Sequence, residues 1–313
     1  MVSAKILKDS TNWLGNRLTT LELTYPRYIH AEFMTHRVLS KNSASSRAIP
    51  VEKMVEQIKE NPVLPIWTKN KKGMQGDIIV DEKEIDLLNE YLKIQREDII
   101  RYIDTLKTLG IHKQNINRYL EPFQHIKIIC TGTEWDNFFE LRCHPDAQPE
   151  IRELAEKIRF EMAINEPEYL EPGQWHIPFE ENMPNFKFSK ELEGNDEELD
   201  AYNITKQQLK LKISVARCAR ISYLTHDGQI DYKKDIELYD RLVANNPKHL
   251  SPTEHQARVP TEEELDYFYS GYEISGNLLK KEDRKVEYKK GKYVSNLNGW
   301  IQYRKLIEDE THG

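Results

Sequence analysis

Two hydrophobic periods alternate along this chain, and together they restrict it to a mixed fold. The stretch Leu18-Thr19-Thr20-Leu21-Glu22-Leu23-Thr24 alternates in the manner of a strand, and His125-Ile126-Lys127-Ile128-Ile129-Cys130 is β-branched enough to be another. The opening residues 1–9 read as a first strand. Elsewhere the period lengthens. Ile85, Leu88, Leu92, Ile99, Ile103 and Leu106 recur at helical spacing and Gly110 supplies a stop, which predicts a long amphipathic helix covering the core. Ile151, Leu154, Ala155, Ile158 and Met162 define a second such helix. The expected class is α+β (mixed α/β), a central, largely antiparallel sheet flanked by helices.

Between these elements lies a segment of different character, Thr35-His36-Arg37-Val38-Leu39-Ser40-Lys41-Asn42-Ser43-Ala44-Ser45-Ser46-Arg47. Pro26 opens a helix through Tyr28, Ile29, Phe33 and Met34, and the segment begins at its end. It carries an imidazole, two guanidinium groups and a run of hydroxyls, with no acid of its own, in a protein of formal net charge -7. Arginine forks meet phosphate or carboxylate oxygens two at a time, and serine hydroxyls fill the remaining lone pairs. Arg37 and Arg47 suit a phosphate-bearing small molecule. The competing reading is a solvated turn, because Ser, Asn and Arg are ordinary loop residues.

Composition narrows the classes. A chain of 313 residues with 38% hydrophobic and 31% charged content is neither collagenous nor a disordered tail. No apolar run approaches the ~18–20 residues that span a bilayer, and residues 1–9 lack a signal-peptide core, so a cytoplasmic location is expected. The acidic balance and the lack of a long basic stripe argue against nucleic acid as a partner. Cys130, Cys143 and Cys218 are widely spaced, suggesting reduced, mostly inert thiols, and no spacing implies a metal. We expect one catalytic domain over 1–313. Within it, the Pro-rich, acidic stretch 166–204 is expected as a surface excursion, and 260–313 as a C-terminal extension with a solvated segment at 280–292. Trp300, in Gly299-Trp300-Ile301-Gln302-Tyr303-Arg304, is expected in the core.

His36, Arg37, Ser40, Asn42, Ser45 and Arg47 resemble the Arg-His-Arg, seven residues, Ser signature of flavin-dependent thymidylate synthases, with Thr35 at the first Arg and Ser43 at the family's Glu. A second block is similar to the family's downstream region: Arg118-Tyr119-Leu120-Glu121-Pro122, then Asn137-Phe138-Phe139-Glu140-Leu141-Arg142, then Ala147-Gln148-Pro149-Glu150-Ile151. Asp146 and Thr133 stand where the family has a His and a basic residue. A third block, Ser214-Val215-Ala216-Arg217-Cys218-Ala219-Arg220-Ile221-Ser222-Tyr223 followed by His249-Leu250-Ser251-Pro252-Thr253-Glu254-His255, resembles the family's opening segment but comes late, as in a circular permutation. Permutation preserves core contacts where chain ends lie close together, so 214–255 should pack beside the strand at 18–25.

The resemblance implies a thymidylate synthase-like mixed fold that is not a Rossmann fold. It also implies transfer of a one-carbon unit from methylenetetrahydrofolate to C5 of dUMP, with flavin-mediated reduction giving dTMP. FAD would be the cofactor, NADPH the reductant, and a homotetramer with shared active sites the assembly. By the same resemblance, Glu32, Ser45, Ser46, Arg47, Arg118 and Arg142 would bind the nucleotide. His36, Arg37, Val38, Asn137 and Ser222 would contact the flavin, and Arg142 and His255 would be catalytic. Glu32 stands where the family has Gln, replacing a donor-acceptor amide with an acceptor, so methylation or hydroxymethylation of dUMP or dCMP is an alternative. Gln302 or Arg304 is expected to restore the polarity lost at Thr35 and Ser43. A non-catalytic nucleotide- or nucleic-acid-binding relative is the reading from another class.

Overall fold

Side-chain alternation gives this protein a sheet with two chemically different faces. The computed structural model describes residues 1–73, 76, 80–183, 206–221, 231–243, 245–265 and 295–309. Strands β1 (Ser3–Asn12) and β2 (Arg17–Pro26) form a hairpin whose turn is organised by Asn12 Oδ1, which accepts the backbone N–H groups of Leu14 and Asn16 at 3.1 Å. β2 pairs antiparallel with β4 (His125–Gly132), β4 with the short edge strand β3 (Ser40–Ser43), and β5 (Glu168–Leu170) joins parallel to β1. The order is β3-β4-β2-β1-β5, the largely antiparallel sheet expected.

Leu21, Leu23, Tyr25, Ile126, Ile128 and Cys130 share the first face, where α1 (His30–Met34), α5 (Asp136–Arg142) and α6 (Pro149–Ile164) bury Phe33, Phe138, Leu154 and Ile158 against them. Edge-to-face and tilted contacts join Tyr25, Phe33 and Phe138, and each such pair adds about 1 kcal/mol beyond burial. The helices α2 (Val51–Glu60), α3 (Glu82–Thr108) and α4 (Lys113–Ile116) build a satellite core of Met54, Ile58, Ile103, Ile116, Leu120 and Phe123. The long helix predicted from the 85–106 spacing is therefore present, but it covers this satellite rather than the sheet. Asp81 caps its start by accepting the Glu84 N–H, and Gly110, at φ +72°, ends it.

The opposite face carries α7 (Lys206–Arg220), whose Cys218 packs with Ile221, Leu7 and Ile129, and α8 (Tyr232–Val243) packs on α7. A chain of hydrogen bonds runs beneath the sheet. Ser10 Oγ meets His176 Nδ1 at 2.9 Å, and Thr20 Oγ1 meets both His176 Nε2 and Thr131 Oγ1 at 2.8 Å. Thr131 Oγ1 then meets His255 Nδ1 at 2.8 Å. His255 of the third block thus bonds to the sheet at Thr131 of β4, which in turn meets Thr20 of β2.

Residues 168–183 correct the expectation of a surface excursion. They supply β5 and β6 (Trp175–His176) and bury Leu170, His176 and Ile177, because the apolar residues between the prolines fall on the sheet's lower face. The remainder of that stretch, 184–204, and the segment 280–292 lie outside the described residues. The end of the chain is also built in: β7 (Ala257–Arg258) and β8 (Ile301–Gln302) complete a small sheet with β6, followed by α9 (Tyr303–Asp309). Trp300 is fully buried, as expected. The turn before it is fixed by close approach: Asn12 Nδ2 donates to Gly299 O at 2.9 Å, Gly299 has φ +74°, and a Cβ there would lie 2.2 Å from Asn16 Nδ2. Replacing Gly299 with Ala should destabilise the protein by about 1–2 kcal/mol, from strain at positive φ plus the clash. Denaturant titration checks this, with an unchanged midpoint as the contrary result.

Candidate functional site

The edge strand β3 aligns two groups of polar side chains on the first face of the sheet. At its start, His36 and Arg142 meet. Phe138 and Arg142 are four residues apart on α5 and so share one helical face. Phe138 packs edge-on against the His36 ring, centroids 4.9 Å apart, while Arg142 Nε donates to His36 Nε2 at 2.9 Å. That bond assigns the imidazole proton to Nδ1. Burial, with Arg142 and Lys41 nearby, pushes the His36 pKa down to about 4, so at neutral pH the ring is uncharged and one of the five guanidinium N–H groups is committed to it.

In the middle of the edge sits Lys41, opposite Cys130 in the register. Its ammonium donates to the His36 backbone O and lies 5.6 Å from the Phe33 ring centroid. Burial lowers its pKa. His30 follows, its Nδ1 hydrogen-bonded with the Tyr25 hydroxyl at 2.8 Å, with its pKa pushed down to about 4 by burial, then by Arg27 and Lys41.

At the far end, the loop after β3 is clamped from downstream. Asn117 Nδ2 donates to the carbonyls of Ser46 at 2.7 Å and Ile49 at 2.9 Å, and Lys113 Nζ to Ala48 O at 3.0 Å. Glu121 Oε1 gathers Ser46 Oγ at 2.7 Å, Arg118 Nη1 at 2.8 Å and Arg27 Nε at 3.3 Å. Segment 35–47 has no acid of its own, but folding brings Glu121 to it, and this carboxylate neutralises part of the cationic surface. Arg47 is exposed on the loop, and Ser45 is half-buried beside it.

The sequence-nominated residues therefore divide. His36 and Arg142 touch; Ser46 and Arg118 share Glu121; and Arg37, Glu32 and Asn137 are exposed close in sequence to His36, Phe138 and Arg142. Val38 is exposed, and its carbonyl accepts Asn296 Nδ2 at 3.0 Å. Ser222 lies outside the described residues.

His255 is a correction. It is fully buried on the opposite face of the sheet, bonded to Thr131, with its pKa pushed down to about 3 by burial alone. Within this chain it does not meet Arg142, because Thr131 and Cys130 point to opposite sides of β4. Gln302 and Arg304 are also misplaced by the sequence reading. Gln302 Nε2 donates to Ser40 Oγ at 3.3 Å beneath the sheet, and Arg304 pairs with Glu254 at 2.5 Å, whereas Thr35 is exposed and bonds to its own helix at Glu32 O. Buried Cys130 and Cys218 have raised thiol pKa values, Cys130 up to about 12, which leaves them protonated rather than nucleophilic. Sequence reasoning missed Lys41, His30, Arg27, Asn117 and Glu121. Lys41 had a signal, since alternation along Ser40–Ser43 puts it on the face of Cys130.

Residues 17–168 match the family model described as thymidylate synthase complementing protein. The match covers just under half of the chain. Both motifs that meet at His36 and Arg142 fall inside the match. The chain is 30% identical over 134 residues to a flavin-dependent thymidylate synthase of Pyrococcus furiosus, covering 42% of this chain and 48% of that protein. It is 31% identical over 137 residues to one of Pyrococcus abyssi, covering 43% and 50%. The chain spans about half the length of the curated relatives it matches. Among solved structures, a UMP/dUMP methylase PolB from Streptomyces cacaoi bound with 5-Br UMP aligns at TM-score 0.43 and 14% identity, covering 52% of this chain and 89% of that one. That likeness is too loose to carry an argument. Among the described residues no helix is long and apolar enough to cross a membrane.

The His36 geometry has a pH consequence. A ring with pKa about 4 when folded and ~6.5 when unfolded takes up its proton earlier in the unfolded chain, so stability is full above pH ~6.5 and is lost as pH falls toward 4. Replacing Arg142 with Leu removes one of the depressing charges and should move the His36 ring titration upward, read from its NMR ring-proton shifts. A titration that does not move would contradict the contact.

Proposed function

We propose that the chain is an enzyme that transfers a one-carbon unit from methylenetetrahydrofolate to C5 of dUMP, with flavin-mediated reduction giving dTMP. The observation that carries this reading is the His36–Arg142 hydrogen bond, which joins two motifs 106 residues apart into one donor group. C5 of a pyrimidine is a weak nucleophile, so such a site must stabilise negative charge on the base carbonyls during attack. A fixed guanidinium beside a neutral imidazole suits that task. Arg142, anchored through Nε, would hold and polarise the base. Ser45, Ser46, Arg47 and Arg118 would hold the sugar and phosphate at the other end of β3, with Lys41 adding positive charge between them.

The donor set of His36, Arg37 and Asn137 fits the carbonyl-rich edge and phosphates of FAD, which when bound would supply the hydride. His36 would present its Nδ1–H to that edge, and Arg37 would meet an anionic part. His255 and the third block lie across the sheet from these residues, so any role for them requires residues of another copy, consistent with the shared sites of a homotetramer. NADPH would serve as reductant.

A second reading concerns the base. Glu32 is exposed on α1 and, when ionised, is acceptor-only, which favours a base bearing an exocyclic amine donor, as in dCMP. The deciding experiment incubates the full chain with methylenetetrahydrofolate, FAD, NADPH and either dUMP or dCMP, with mass spectrometry of the product. We expect methylated dUMP, and an Arg142→Ala variant should lose about 10²–10³-fold in kcat/KM. A hydroxymethylated product or turnover of dCMP alone would favour the second reading. Absence of turnover with both nucleotides would overturn the first.

A further inference from the structure

We propose that a second pocket, lined by Trp67, Tyr28 and Glu150 among others, binds a flat aromatic ligand carrying an amino or amidine N–H group. The pocket lies between the chain after α2 and the start of α6, and none of the residues assigned above to the nucleotide or flavin line it, so the proposal does not rest on the function proposed for that site. Its volume is about 560 Å³, in the range that holds a single small molecule.

Glu150 is only 4% exposed. Its Oε1 accepts the Tyr28 hydroxyl at 2.8 Å and the Ile66 backbone N–H at 2.9 Å, while Oε2 is buried with no hydrogen-bond partner. A buried carboxylate oxygen without a partner is costly, and native structures supply a donor to nearly all such groups. Glu150 is also the second residue of α6, after Pro149, in the first turn where acidic side chains suit the helix's positive end. Glu150 is thus a fixed carboxylate with one unused acceptor oxygen, and it is part of the pocket lining.

The walls decide what brings the donor. Trp67 is held by its own Nε1–H, which donates to Asn89 Oδ1 at 2.9 Å, and Tyr28 is held by Glu150 itself. Two aromatic rings held in place beside a carboxylate select a flat ring with a donor at its edge, since the ring gains stacking and the N–H group gains an acceptor. Lys69 lines the mouth but is paired with Glu84, so it does not satisfy Glu150.

The test is calorimetric titration of the full chain with 2,4-diaminopyrimidine, and with 2,4-dimethylpyrimidine as a ring of the same shape lacking the donors. Saturable binding of the first and none of the second is expected. Glu150→Gln should weaken binding at least tenfold. Because Glu150 also holds Tyr28 and Ile66, the pocket-wall variant Trp67→Leu is measured alongside, with about a tenfold loss expected at an unchanged melting temperature. Absence of saturable binding, equal binding of both pyrimidines, or undiminished binding by both variants would overturn the proposal.

Discussion

Four residues of edge strand decide where the chemistry of this protein can sit. The pairing of β3 with β4 turns Lys41 and Ser43 toward Cys130 and Ile128, and Ser40 and Asn42 toward Thr131 and Ile129. A one-residue slip would exchange the two sets. The buried side resists such a slip, because Asn42 Nδ2 donates to Cys218 O at 2.6 Å and Ser40 Oγ meets Asn296 Nδ2 at 2.9 Å. The polar network beneath the sheet therefore positions the cations above it, although none of its members reaches them.

The upper side then assembles by helix geometry. α1 returns the chain from β2 to His36 over Phe33, and α5 offers Phe138 and Arg142 from one face. The result is a line of donors along the β3 edge, from Arg142 through Lys41 to Arg118 and Arg47, moderated by Glu121. Burial keeps His30 and His36 neutral, so the positive charge is carried by guanidinium and ammonium groups alone.

The elements with a clear period were legible in the sequence: β2 from 18–24, β4 from 125–130, α3 from its apolar spacing and α6 from Ile151 to Met162. Motif resemblance nominated His36 and Arg142 separately, and their direct contact appears only in the structure. Three things were not legible. Glu121 reaches the serine loop only because Asn117 ties 117–123 to Ser46 and Ile49. His255 ends beneath the sheet because Thr131 takes its Nδ1, which depends on the parity of a strand 124 residues away. The stretch 168–183 reads as surface text because its prolines and acids mask the few apolar residues that join the sheet.

The claim on which the site depends is that Arg142 donates to His36 Nε2. Long-range ¹H–¹⁵N correlation of the His36 ring at neutral pH measures this directly, because the two neutral tautomers and the imidazolium have distinct nitrogen shifts. The expected result is a neutral ring with its proton on Nδ1. A proton on Nε2, or a charged ring, would contradict it.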